Sequence, residues 1–199
     1  TGETWNDFAL RLSSRYRVLV VDLPGHGGSD LHGETLSMEL MAESLNTILS
    51  SVGIDKIFMI GHSMGGYVTL AFLQLFPERL SGYCLFHSHP FADTGEVRVK
   101  RENEIRTVAA GKKFLVYPDN IKRMFAEKNL DRFAEKVERS KSIAAGIDSG
   151  AITGVLKGMM ERTSRIQFME SGIKPGLWIL GSEDNYINCE LMSSRVTLP

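Results

Sequence analysis

Short runs of apolar residues without polar alternation recur along the chain. They lie at Tyr16–Val21, Ile57–Ile60, Tyr83–Phe86 and Gly176–Leu180. A strand that is buried on both faces has such a continuous pattern, which is typical of parallel sheets covered by helices. The predicted fold class is therefore α/β, with a mostly parallel sheet flanked by helices.

Apolar residues between these runs recur with the spacing of helices. The stretch 36–52 has a broad apolar face, with Ser37 or Thr35 as a candidate N-cap and Gly53 as a stop. The stretch Tyr67–Phe76 is apolar almost throughout, and it predicts a buried helix that ends before the following proline. Strands and helices thus alternate, as an α/β fold requires.

The central part of the chain has a different composition. Residues 91–172 hold 16 of the 23 basic residues but only 12 of the 24 acidic ones. Amphipathic helices are predicted here at Val97–Ala110, Ile121–Lys128, Leu130–Ile147 and Ala151–Arg165. We therefore expect a core made of residues 1–90 and 173–199, with residues 91–172 inserted as a helical lid. We interpret the positive charge as belonging to solvated helical faces rather than to a site that recruits an anionic substrate.

The overall composition argues against several classes of partner. The 199 residues are 43% hydrophobic and carry 23 basic and 24 acidic side chains, so no global field points towards nucleic acid or an anionic membrane. No apolar run reaches the roughly 18 residues that span a bilayer. Two cysteines, Cys84 and Cys189, imply no disulfide framework. We expect a cytoplasmic protein whose partner is a small molecule.

A glycine–x–serine–x–glycine motif follows the second apolar run. Ser63 lies between Gly61 and Gly65, directly before the predicted buried helix. In a nucleophile elbow the serine lies on a sharp strand-to-helix turn, and a side chain at either glycine is expected to collide with the neighbouring strand or helix. A chance match in a glycine-containing loop is the competing interpretation, but the flanking strand and helix favour the elbow.

Three motifs occur in an order that resembles the α/β-hydrolase fold family. Ile60–Gly66 is similar to the family's elbow, Val18–Ser29 to its preceding strand and loop, and Gly176–Asp184 to the strand that carries its catalytic acid. Within the family, the chain resembles the lid-bearing serine hydrolases. These include carboxylesterases, meta-cleavage-product hydrolases and non-haem haloperoxidases.

The resemblance implies a reaction and the residues for it. A serine hydroxyl needs a histidine base and a carboxylate that holds the imidazole. Ser63 is implied as nucleophile, the backbone N–H of Met64 as oxyanion donor, and Asp184 as acid with Glu183 as its nearest substitute. The implied function is cleavage of a small-molecule ester, or a related acyl or C–C bond, through an acyl-enzyme without cofactor or metal. The alternative is a non-catalytic scaffold that binds a small molecule or a partner.

All five histidines precede Asp184 in the chain. His87 and His89 lie two residues apart on a segment expected to be extended, so they should share one side. A metal site is conceivable there, but two ligands do not fill a zinc shell. We interpret both, together with His62, as substrate-binding residues of the pocket wall. As a base, His62 would point away from Ser63, and the other two would approach it from the wrong strand.

A further carboxylate, Asp22, follows the first apolar run. Ligands of α/β proteins bind at the carboxyl ends of strands, so a catalytic role is one interpretation. A hydrogen bond to the backbone of the tight turn Pro24–Ser29 is the favoured one.

The resemblance also implies residues that this sequence lacks. In relatives, a His-Gly loop that supplies a second oxyanion donor precedes the position of Trp5, and the catalytic histidine lies one strand beyond the acid. The 199 residues contain neither. We therefore expect the chain to be truncated at both ends. A chain ending at Pro199 is predicted to be nearly inactive, because losing one triad member costs roughly 10⁴–10⁶ in turnover.

Overall fold

The computed structural model describes residues 1–197. Three parallel strands form one sheet in the order β1-β2-β3, and helices pack around it. The elements in chain order are α1 (Asn6–Leu12), α2 (Met38–Ser51), β1 (Ile57–His62), α3 (Met64–Leu75), β2 (Leu80–Phe86), α4 (Gly95–Ala109), α5 (Tyr117–Arg123), α6 (Ala134–Gly146), α7 (Ser149–Glu161), α8 (Ile166–Glu170), β3 (Gly176–Ile179) and α9 (Cys189–Ser193). The predicted α/β class is confirmed.

The three strands end at the same edge of the sheet. His62 at the end of β1 pairs with Phe86 at the end of β2, and Phe86 pairs with Ile179 at the end of β3. Residues that follow these ends therefore lie side by side. This is the edge at which parallel α/β sheets bind their ligands.

The helix that follows Ser63 is the centre of the core. Residues Gly66–Leu73 of α3 are all buried. Phe72 of this helix is fully buried in one cluster with Met41 of α2 and Leu85 of β2. A helix that is apolar all round is stable only when it is enclosed in this way. Its N-terminus is consequently a rigid support for Ser63.

The first apolar run does not form the buried strand predicted for Tyr16–Val21. It has no strand hydrogen bonds among residues 1–197, and Leu19 and Val20 are exposed. An apolar run becomes a strand only when a neighbouring strand pairs with its N–H and C=O groups, and β1 is an edge strand of the described sheet. The turn after the run agrees with the favoured interpretation, because Asp22 accepts a 3.0 Å hydrogen bond from the backbone N–H of Gly28.

The residues between β2 and β3 are helical, but some helix ends differ from the predicted ones. The range Ile121–Lys128 is wrong, because α5 begins at Tyr117 and includes Pro118 in its first turn, where a missing N–H costs no helical bond. The helix predicted at Leu130–Ile147 begins only at Ala134. The bounds predicted for the first and last of these helices agree with those of α4 and α7 to within a few residues. No helix within residues 1–197 is both long and apolar enough to cross a membrane.

A buried ion-pair cluster joins the two ends of this helical segment. Asp93 Oδ1 lies 2.7 Å from Arg162 Nη1, and Asp93 Oδ2 lies 2.6 Å from Arg101 Nε. The side chains of Asp93 and Arg162 are each 2% exposed. The Arg162 guanidinium also lies 3.9 Å from the ring centroid of Tyr67 on α3. These ion pairs join the start of the segment to its end, and the contact with Tyr67 places the cluster against the core.

Candidate active site

Ser63 occupies the turn between β1 and α3. Its φ and ψ are 51° and −117°, a combination that residues other than glycine rarely adopt. The backbone N–H of Ser63 donates to the C=O of Phe86 at 2.9 Å, which ties the turn to β2. Met64 is the first residue of α3, so its N–H is among those that the helix leaves unpaired at the positive end of its dipole. The turn therefore has the backbone geometry of a nucleophile elbow.

The two glycines of the motif have different surroundings. A Cβ on Gly61 would collide with the backbone C=O of Gly65 and the hydroxyl of Thr69, as expected. A Cβ on Gly65 would meet nothing within 4 Å, so the expected collision is wrong there. The following residue, Gly66, is the one packed tightly, against the side chain of Ser88. The glycine of α3 that has no room for a side chain is thus Gly66, one residue later than the motif indicates.

We expect Gly61→Ala to lower the free energy of unfolding by about 1–3 kcal/mol, because overpacking forces the backbone of the turn to shift. Gly65→Ala is a matched control in the same turn. It should be neutral or slightly stabilising, because alanine loses less conformational entropy than glycine in a helix. Urea unfolding of both variants measures the difference, and equal losses would contradict the packing described for the elbow.

Asp184 lies in the loop that follows β3. Its Oδ1 accepts hydrogen bonds from the N–H groups of Tyr186 and Ile187 at 2.8 and 3.0 Å, and its Oδ2 accepts one from Nδ1 of His87 at 2.8 Å. Burial alone would raise the pKa of Asp184, but the bonds from His87 and the two backbone N–H groups outweigh burial and hold the pKa below its ordinary value. Asp184 is therefore ionised at neutral pH.

The contact between His87 and Asp184 was missed by reasoning from the sequence. His87 follows β2 directly, with a left-handed φ of 46°, and its N–H donates to the C=O of Ile179 at 2.9 Å. Its ring packs against Gly181, where a Cβ would lie 2.5 Å from Cε1. The one available signal was the position of His87 at the carboxyl end of a strand next to β3. A left-handed histidine cannot be read from a pattern of apolar residues.

His62 stands at the same edge of the sheet. It is exposed, and its ring centroid lies 6.0 Å from that of His87, 5.5 Å from that of Phe86 and 6.4 Å from that of Trp5. These rings form a small aromatic surface at the strand ends. His62 and His87 thus lie together at the edge where Ser63 stands.

His89 is separate from this surface. Its Nε2 lies 3.0 Å from the hydroxyl of Tyr67, and its Nδ1 accepts a bond from the N–H of Phe91 at 3.3 Å. Burial, helped by the nearby positive charge of Arg162, lowers the pKa of His89 to about 4, so the ring is neutral at pH 7. The prediction that His87 and His89 share one side of an extended segment is wrong, because the left-handed φ of His87 turns the chain between them. No three His, Cys, Asp or Glu side chains within residues 1–197 are grouped to hold a metal.

Two other carboxylates, Glu183, expected as the nearest substitute for the acid, and the buried Asp93, are paired elsewhere. Asp93 is enclosed by two arginines, and Glu183 pairs with Lys128 at the surface. Of these carboxylates, Asp184 is the one in contact with an imidazole. The candidate site therefore comprises Ser63, the N–H of Met64, Asp184 and its partner histidine.

Comparisons with known proteins agree with this arrangement of elements. A family model described as the alpha/beta hydrolase fold matches residues 3–188. A putative 2-succinyl-6-hydroxy-2,4-cyclohexadiene-1-carboxylate synthase of Bacillus subtilis is 27% identical over 165 residues, which cover 81% of this chain and 58% of that protein. A pimeloyl-(acyl-carrier protein) methyl ester esterase of Aeromonas hydrophila is 38% identical over 90 residues, which cover 45% of this chain and 34% of that protein. The chain spans less than two thirds of the length of these relatives.

Solved structures resemble the chain over nearly all of its length. A thermophilic esterase from Thermogutta terrifontis has a TM-score of 0.88 and 25% identity, covering 96% of this chain and 72% of that one. The enol-lactonase from Burkholderia xenovorans LB400 has a TM-score of 0.81 and 15% identity, covering 97% of this chain and 83% of that one. At 15% identity the likeness establishes the fold alone.

Proposed function

This chain belongs to the α/β-hydrolase fold family, and we propose that it supplies the nucleophile and the acid of a serine hydrolase. The observation that carries the proposal is the strained backbone of Ser63, at the strand ends where Asp184 and His87 meet. Such strain costs roughly 1–3 kcal/mol and persists only where the surrounding structure enforces it. A scaffold that only binds a ligand has no use for it, which argues against the non-catalytic alternative.

The proposed reaction is acyl transfer through Ser63. A histidine base takes the proton of Ser63 Oγ as the oxygen attacks the carbonyl carbon of the substrate. The N–H of Met64 then donates to the negative oxygen of the tetrahedral intermediate. The base returns the proton to the leaving group, and water hydrolyses the acyl-enzyme by the same steps. Asp184 keeps the imidazole in the correct tautomer and stabilises its cation.

Asp184 has room for a second imidazole besides that of His87. A carboxylate presents about four lone-pair sites, and the hydrogen bonds described for Asp184 use three of them. One site remains for the N–H of the base. We propose that His87 holds Asp184 and that the base is a second histidine, which in the family that the chain resembles lies one strand beyond the acid.

His87→Gln separates these two roles. Glutamine keeps an N–H donor for Asp184 but cannot act as a base near neutral pH. In the full-length protein that carries these residues, called the natural polypeptide below, we expect the substitution to leave turnover within about tenfold of the unsubstituted value, which is the scale of one weakened hydrogen bond. Loss of a catalytic base costs roughly 10⁴–10⁶, so steady-state rates that fall this far would make His87 the base instead.

The proposed substrate is a small molecule with an ester, related acyl or C–C bond. One similar protein is named an esterase and another a carboxylate synthase, so family membership alone does not select the bond. We propose residues 91–172 as the lid that shapes the pocket. His62 and His87 are proposed to contact the substrate beside Ser63, with His89 behind them as a neutral part of the wall.

The free thiols of Cys84 and Cys189 support a cytoplasmic location.

A substrate panel on the natural polypeptide tests this function. It should contain a short p-nitrophenyl ester, the matching thioester and a vinylogous 1,5-diketone for C–C cleavage. We expect saturable hydrolysis of at least one member. A folded protein that binds members of the panel but turns over none would support the non-catalytic scaffold.

A further inference from the structure

The loop that carries Asp184 is attached to the helical segment by its next two side chains. Asn185 Nδ2 donates to the C=O of Arg123 at 3.0 Å and to that of Phe125 at 3.3 Å. The hydroxyl of Tyr186 donates to the C=O of Asn120 at 3.0 Å. All three acceptors belong to α5 or to the residues directly after it. The loop and α5 are therefore joined by three hydrogen bonds.

These bonds meet a need of α5 itself. Arg123 is the last residue of α5, and the last carbonyls of a helix have no partner within it. The Asn185 amide satisfies the Arg123 carbonyl. The guanidinium of Arg123 also lies 5.4 Å from the ring centroid of Tyr186, within the range of a cation–π contact. The end of α5 and the loop thus stabilise each other.

One of these two loop residues, Tyr186, also bonds the carboxylate of Asp184. The backbone N–H of Tyr186 donates to Asp184 Oδ1, and its hydroxyl donates to the helical segment. Asn185 lies between Asp184 and Tyr186 in the chain. We propose that Asn185 is a positioning residue, which couples the seating of residues 120–125 to the orientation of Asp184. This inference rests on the proposed function of Asp184 as the catalytic acid.

The coupling has a consequence for pH dependence. A well-placed carboxylate favours the imidazolium form of the base and so raises the pKa of the base. When the loop relaxes, Asp184 stabilises that cation less, and the pKa of the base falls. The acidic limb of the kcat/KM profile, which reports the free enzyme, must therefore move to lower pH. A substitution that merely loosened the fold would not move this limb.

Asn185→Leu in the natural polypeptide tests the proposal, because leucine has a similar volume but no donor. We expect faster hydrogen–deuterium exchange in residues 182–188, a fall in kcat of about 10- to 100-fold from a misplaced acid, and a KM within a few-fold of normal. Tyr186→Phe removes one of the three bonds and should give a smaller change in the same direction. Lys136→Ala, which breaks an exposed ion pair between α6 and Asp7 of α1, is the control and should change none of these quantities.

The outcomes separate this proposal from the proposed function. Unchanged exchange in Asn185→Leu, or faster exchange with unchanged kcat and an unmoved acidic limb, overturns the positioning role alone. If the unsubstituted natural polypeptide shows no turnover and its Ser63 does not react with a fluorophosphonate, the proposed function is overturned, and the positioning role with it. Lower kcat together with the acidic limb at lower pH supports both.

Discussion

Replacing Ser63 with alanine is expected to abolish labelling by a fluorophosphonate probe and to lower turnover of the natural polypeptide by roughly 10⁶-fold. The probe forms a covalent bond only with an activated nucleophile, and alanine has no oxygen to supply it. Alanine and serine both have a Cβ and bear a similar strain at φ 51°, so the fold should be unaffected. Mass spectrometry of the labelled protein and steady-state rates measure the two effects.

Ser14→Ala is the matched control for this experiment, because Ser14 is an exposed serine whose hydroxyl bonds only its own helix end. It should label and turn over like the unsubstituted protein. Labelling that persists in Ser63→Ala would show that the nucleophile is another residue.

Asp184→Asn is expected to lower turnover by about 10⁴-fold while the protein stays folded. The amide oxygen can still accept the N–H groups of Tyr186 and Ile187, so the loop keeps its shape. An amide has no negative charge with which to stabilise an imidazolium, and its NH₂ group can favour the wrong tautomer of the base. Turnover is measured beside a melting curve, which should change little.

Glu190→Gln removes an exposed carboxylate from α9 and serves as the control for charge alone. It should leave turnover unchanged. Near-normal turnover in Asp184→Asn would place the acid elsewhere. Glu183 would then be examined before Asp93, because the two arginines around Asp93 already bind its carboxylate.

The predictable parts of this molecule are those that depend on neighbours in the chain. The apolar run Ile57–Ile60, the glycines and the following apolar helix are contiguous, so the elbow at Ser63 follows from local pattern. The position of Asp184 shortly after a strand is likewise visible in the neighbouring sequence. Helix ends were harder, because Pro118 can punctuate a loop or fit in the first turn of a helix, and only the surrounding structure selects between these.

The parts that were missed depend on residues distant in the chain. The run Tyr16–Val21 has a strand-like composition, but a strand also needs a paired neighbour, which composition does not reveal. His87 lies 97 positions from Asp184 in the chain, and their contact requires a left-handed backbone that local preference disfavours for histidine. The bonds from Asn185 to α5 likewise join two segments that no pattern links.

The most direct test of a serine mechanism is to trap the acyl-enzyme. The natural polypeptide carrying Asp184→Asn, in which each chemical step is slowed, is mixed with a p-nitrophenyl ester, quenched in acid and digested for tandem mass spectrometry. We predict a single acyl group, attached to Ser63, that disappears when quenching is delayed until the substrate is exhausted. Turnover with no acyl group on Ser63, or with the group on another residue, would contradict the proposed mechanism.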